Sequence, residues 1–148
     1  MARRGIAIIA ATGFAALLTG EGVCRADALD PALIGVWAPS GPDCARVFEK
    51  RGADLAFRRP IDNVTPATII RPEEIVLASG ACRVQGVSHV SGAFTVKADC
   101  NDAASSTAQT LQIQLRSAGE ILFNPTGDPA RDARLIKCRF DPGAPGRN

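Results

Sequence analysis

Apolar and polar side chains alternate without a break along Leu111-Gln112-Ile113-Gln114-Leu115-Arg116. A period of two puts Leu111, Ile113 and Leu115 on one face and the polar residues on the other, which predicts a half-buried strand. Phe94, Val96, Ala98 and Cys100 repeat the pattern against Thr95, Lys97 and Asp99. Ile136, Cys138 and Phe140 alternate with Lys137 and Arg139, and Cys82 with Val84 is a shorter case of the same kind. Cysteines thus stand in phase with the apolar face of three predicted strands, where a bridge would be buried.

Further strands are predicted over residues 33–38, 46–49, 55–58, 67–70, 75–78 and 120–123. Turn chemistry separates them at Arg51-Gly52-Ala53-Asp54, Arg71-Pro72-Glu73, Ser79-Gly80, Ser91-Gly92, Ala118-Gly119 and Pro125-Thr126-Gly127. Pro42-Asp43 also suits the start of a short helix over residues 44–50, which competes with the strand reading of 46–49. No stretch carries a three-turn amphipathic helix. Short strands at this spacing predict an all-β fold, a small antiparallel β-barrel or sandwich.

The first 28 residues carry a different pattern. Arg3 and Arg4 precede an uncharged, mostly apolar run over residues 5–18. As a helix that run reaches roughly 21 Å, short of the ~30 Å hydrocarbon core, so it is not read as a membrane span. Ala26-Asp27-Ala28 has the small-residue spacing of a signal-peptidase site, so a Sec signal peptide over residues 1–28 is expected, cleaved after Ala28. Glu21-Gly22-Val23 before Cys24 does not match a lipobox, and the surroundings of Arg3-Arg4 match a twin-arginine signal poorly. The expected location is periplasmic or secreted. The mature chain then holds one β domain over residues 29–140 and a tail, 141–148, rich in Pro and Gly and expected to fray.

Composition narrows the function. Of 148 residues, 46% are hydrophobic and 22% charged, a globular balance. A net charge of +2 from 17 basic and 15 acidic residues is too even for nucleic-acid binding by counterion release. Export leaves four cysteines, Cys44, Cys82, Cys100 and Cys138, an even count that predicts two disulfides in an oxidising compartment. The nearest two lie 18 residues apart and His89 is the sole histidine, so the spacing suits no zinc site. Three pairings are open. Cys44–Cys82 with Cys100–Cys138 closes two loops of equal separation, each worth about 4 kcal/mol in the chain-entropy model. Cys82 and Cys100 are instead symmetric about Ser91-Gly92 and would face each other across that hairpin, with Cys44–Cys138 joining the ends. The equal spacing marks no repeat, since the flanking residues differ.

No reaction centre, cofactor motif or metal site emerges. His89 lies beside Ser88 and Ser91, but neither serine has a nucleophile-elbow context, and the histidine reads as an exposed loop residue. Glu73 and Glu74 read as solvated turn residues. Asp99, Asn101 and Asp102 hint at a calcium loop, but Ala104 and Thr110 occupy the places of its glycine and final glutamate. Asn63-Val64-Thr65 forms a sequon followed directly by Pro66 and is discounted in a bacterial export context. Arg46, Lys50, Arg51, Arg58 and Arg59 face only Glu49 and Asp54, a basic hairpin of net +3 suited to an anionic protein or envelope component. Trp37, the sole tryptophan, is expected to plug one end of the barrel, with Gly35 leaving room for a neighbouring ring.

Leu33-x-Gly35-x-Trp37 followed by Cys44 resembles the opening of lipocalin-like barrels, and among them the small periplasmic inhibitors of secreted metalloproteases. In those inhibitors the cysteine is bonded to a later one, matched here by Ala81-Cys82-Arg83, so the resemblance implies Cys44–Cys82. The chain departs from them in two further cysteines and in the short segment Leu29-Asp30-Pro31-Ala32. A longer likeness is to small exported alphaproteobacterial proteins of unknown function. It is carried by residues 33–39, Asp43-Cys44, Cys82-Arg83-Val84, Ala98-Asp99-Cys100 and Cys138-Arg139. That resemblance implies architecture and compartment, not an activity. The expected function is therefore a non-catalytic periplasmic binding or envelope-interaction protein, with a protease inhibitor acting through its N-terminal residues as the alternative.

Overall fold

The computed structural model describes residues 28–140. The leader read over residues 1–28, apart from Ala28 itself, and the tail over 141–148 lie outside the described residues. In chain order the elements are β1 Gly35–Ala38, α1 Gly41–Val47, β2 Phe48–Arg51, β3 Asp54–Phe57, β4 Thr68–Ile70 and β5 Glu74–Leu77. There follow β6 Gly80–Val90, β7 Ala93–Asn101, β8 Ser106–Ser117, β9 Glu120–Asn124 and β10 Ala133–Lys137. Eight of the strands close an antiparallel barrel in the order β1-β10-β9-β8-β7-β6-β5-β4, while β2 and β3 form a separate hairpin. The fold is a barrel, and the sandwich alternative falls. Among the described residues no helix is long and apolar enough to cross a membrane.

The alternation read in the sequence fills this barrel. Phe94, Val96, Ala98, Leu111 and Ile113 enter one apolar cluster with Ile121, Phe123, Leu135 and Trp37. Side chains pack the interior, as in a domain core. β1 and β4 differ, because every residue from Val36 to Ala38 and from Thr68 to Ile70 is buried. Trp37 and Ile70 belong to the barrel interior, whereas Val36, Ala38 and Ile69 join a second cluster with Val47, Phe48 and Phe57. α1 and the β2–β3 hairpin cover that outer wall. Strands apolar on both faces read as runs rather than alternations.

Three local expectations are corrected. The helix begins at Gly41 rather than residue 44, because Ser40 caps it and accepts a hydrogen bond from Asp43 N at 3.3 Å; the predicted strand over 46–49 is split between α1 and β2. On β10 it is Leu135 that enters the barrel, while Cys138 and Phe140 lie beyond the strand and pack against the outer cluster. The apolar phase read there is that of the second core. Gly35 makes room not for a ring but for the stem of Lys137, whose Cε would lie 2.6 Å from a β-carbon at that position.

The disulfides are Cys44–Cys138 and Cys82–Cys100, so the Cys44–Cys82 pairing implied by the inhibitor resemblance is overturned. The wall of the barrel explains why. Cys82 and Cys100 point into the interior, whereas Cys44 packs in the outer cluster with Cys138 beside it. Cys138 N donates to Val36 O at 2.8 Å, which carries the end of β10 along β1 and under α1. The inner bridge needs its own device. Ser91 and Gly92, with φ of 49° and 81°, make the two-residue turn that pairs Val90 with Ala93. An unbroken register from that turn would set Cys82 opposite Asn101. A bulge between Val84 and Gly86 removes one residue from the ladder and sets Cys82 opposite Cys100.

One barrel end is closed by the segment that precedes β1. Asp30 caps a 3₁₀ turn over Pro31–Leu33, accepting from Ala32 N at 2.8 Å. Leu29 and Leu33 enter the barrel core. Trp37 Nε1 donates to Leu33 O at 2.8 Å, and Lys137 Nζ donates to Ala32 O at 3.1 Å while lying 5.3 Å from the Trp37 ring centroid.

Candidate functional site: an arginine-rimmed groove on the barrel wall

Ile69 on β4 lies opposite Val76 on β5, and Val76 opposite Ala81 on β6. This outward-facing row crosses three strands; Ile69 is buried against the hairpin in the outer cluster, and Val76 and Ala81, partly exposed, form the open apolar floor. The β2–β3 hairpin stands along one side and contributes Ala56 and Phe57. Between hairpin and wall runs a groove of about 370 Å³. Arg51 reaches it from the hairpin tip, Arg59 from the segment after β3 and Arg71 from the β4–β5 turn. Among the described residues no acidic side chain lines it. Ile61, 38% exposed, adds an apolar edge.

Two of the three rim arginines are each paired with one carboxylate. Arg51 donates to Glu49 at 2.7 Å and Arg71 to Glu74 at 2.6 Å, both on exposed surface where such pairs hold weakly. Arg59 has no side-chain hydrogen bond or ion pair among the described residues.

The basic hairpin read from the sequence is thereby redistributed. Arg46 is withdrawn, bound to Asp43 at 2.8 Å, Asp62 at 2.6 Å and the Thr65 hydroxyl at 2.6 Å, tying α1 to the segment before β4. Arg58 donates to Ala45 O and Phe48 O, carbonyls at the end of α1, which suits a cation there. Arg51 and Arg59 remain on the groove, and Arg71 joins them.

Hydrogen bonds from the Thr65 hydroxyl, the Thr65 and Val64 backbone amides and Arg46 hold the Asp62 carboxyl far below its ordinary value. The Ser40 hydroxyl and then Arg46 lower Asp43 as well. A carboxyl depressed in the folded state stabilises the fold above the unfolded pKa, here 3.8, and loses that contribution as pH falls through the folded value. Stability is therefore expected to decline below about pH 4. Asp62→Asn should flatten that acid limb in urea midpoints measured from pH 2 to 7; an unchanged slope would show that Asp62 contributes none of it.

The other residues singled out take structural places. His89 lies on β6 rather than in a loop; its ring stacks on Phe94 with centroids 4.2 Å apart, and its Nε2 accepts from Gly92 N at 2.9 Å. Ser88 is its strand neighbour and so belongs to the opposite face. The Asp102 carboxylate accepts from the Ala104 and Ser105 amides, bonds that lower its pKa and make it a turn former. Among the described residues no group of three His, Cys, Asp or Glu side chains is placed to hold a metal. Glu73 and Glu74 border a recess of about 620 Å³ beside Leu29 and Arg83, with charges of both signs on its wall. Among the described residues the groove brings three arginines together beside an apolar floor, whereas the other recesses with charge of one sign carry a single charged residue each. No family model, no curated protein and no solved structure matches the chain.

Proposed function

We propose that this chain is a non-catalytic periplasmic binding protein that engages an anionic component of the cell envelope through the arginine-rimmed groove. The observation that carries the reading is the convergence of Arg51, Arg59 and Arg71 on one groove without an acidic residue in its lining. Two disulfides suit residence in an oxidising compartment outside the cytoplasm. With apolar side chains packed inside the barrel, its outer surface is what supports binding.

Protease inhibition through the N-terminal residues gains no support. Leu29 and Leu33 are core residues, and the backbone between them is held by Asp30 and Lys137. Inhibition in that mode would require this segment to leave the barrel.

The oxidised protein should bind micelles of an anionic lysophospholipid about tenfold more tightly than zwitterionic ones at low salt, with the preference shrinking as salt rises. Arg51→Ala with Arg59→Ala should remove most of that preference and leave thermal unfolding unchanged. Equal binding to both micelle types, or a preference untouched by the double variant, would overturn the proposal.

A further inference from the structure

The groove has two chemistries, and an anion by itself uses only one of them. A free phosphate would need the arginines but not the Val76-Ala81 floor. A nucleic-acid strand would want exposed aromatic faces for stacking, yet Phe57, the aromatic residue in the lining, is buried. A neutral hydrocarbon would make no use of the three guanidinium groups around it, of which Arg59 has no carboxylate partner among the described residues.

We infer that the groove takes a single-chain anionic amphiphile as a monomer, its acyl chain laid against the partly exposed Val76 and Ala81 and its phosphate or carboxylate head held among Arg51, Arg59 and Arg71. This rests on the reading of the groove as the binding site and names its ligand class. Guanidinium groups are suited to the head, being less strongly hydrated than ammonium and able to bind an oxyanion through two parallel N–H donors. Arg59 is the group with no competing acid, and Arg51 and Arg71 exchange exposed carboxylate partners for the ligand's head. Size restricts the tail. At about 370 Å³ the groove lies at the small end of ligand sites, which run from about 300 to 1,000 Å³, and one chain suits it better than two. The open floor at Val76 and Ala81 crosses one strand spacing, roughly 5 Å, so a short chain covers it.

Calorimetric titration with decyl phosphate below its micelle concentration tests the inference, with inorganic phosphate and decyl maltoside as the two half-ligands. Decyl phosphate should bind one to one and at least about tenfold more tightly than either half, since a charged hydrogen bond alone accounts for such a factor. Arg59→Ala should weaken decyl phosphate about tenfold and leave decyl maltoside unchanged. Ala81→Trp, filling the floor from an outward position, should weaken decyl phosphate and spare inorganic phosphate. Inorganic phosphate binding as tightly as decyl phosphate would reduce the groove to an anion site, and decyl maltoside doing so would reduce it to an apolar surface; either overturns the inference. Should monomers fail to bind while anionic micelles still bind through Arg51 and Arg59, the single-chain ligand is wrong and the broader function stands. Should neither bind, both fall.

Discussion

Replacing Cys44 and Cys138 together by alanine is expected to lower the unfolding free energy by about 4–5 kcal/mol, the loop-closure value for a bridge of this span. The bridge spans 94 residues of sequence and joins α1 to the end of β10. Its loss frees an unfolded chain held near both ends and leaves the α1 layer attached to the wall by the outer apolar cluster and the hydrogen bonds of Arg46 and Arg58. Urea unfolding at neutral pH measures the cost. The first element to loosen should be α1 with the β2–β3 hairpin, visible as early hydrogen exchange at Phe48 and Phe57 while Val96 and Leu111 stay protected. A loss under about 1 kcal/mol would mean that the second core already supplies the constraint, and that the bridge merely records the proximity.

Trp37→Ala should cost about 3–5 kcal/mol, the usual range for removing a large aromatic side chain from a core. Trp37 is fully buried and joins three things at the closed barrel end: the apolar interior, the Leu33 carbonyl and the Lys137 ammonium. Trp37→Phe separates these contributions. It keeps most of the ring volume but leaves Leu33 O without its donor, a change expected to cost about 1–3 kcal/mol. Because Trp37 is the sole tryptophan, circular dichroism rather than fluorescence must follow both variants. A Phe variant as stable as the parent would show that the indole hydrogen bond contributes nothing to closure. An Ala variant within about 1 kcal/mol of the parent would place the support of that end in Leu29 and Leu33 instead.

The candidate site was only half legible in the sequence. Arg51 and Arg59 stand out within a basic stretch, but so do Arg46 and Arg58, which the fold uses to hold α1 in place. Telling the two pairs apart requires Asp62, Thr65 and the end of α1 in position. Arg71 carries no sequence signal beyond its place in a turn. It reaches the groove because β4 and β5 run beside the β2–β3 hairpin, an adjacency that no spacing along the chain encodes.

The alternation of β7 and β8 depends only on the pleat of a single strand, so it was readable from neighbouring residues and correctly announced an all-β core. The near-symmetry of Cys82 and Cys100 about Ser91-Gly92, one residue off, was visible for the same reason, since a hairpin joins residues close in sequence. The bulge that brings those cysteines into register was not, because its effect is defined by the partner strand. Period two reports that a strand has an apolar face but not whether that face turns inward or outward. On β10 both sides meet apolar neighbours, and only closure of the sheet, with α1 folded onto its outside, assigned Leu135 to the barrel and Cys138 to Cys44. Local chemistry thus determined the elements; the wall of the barrel, which separates inside from outside, decided which of them touch.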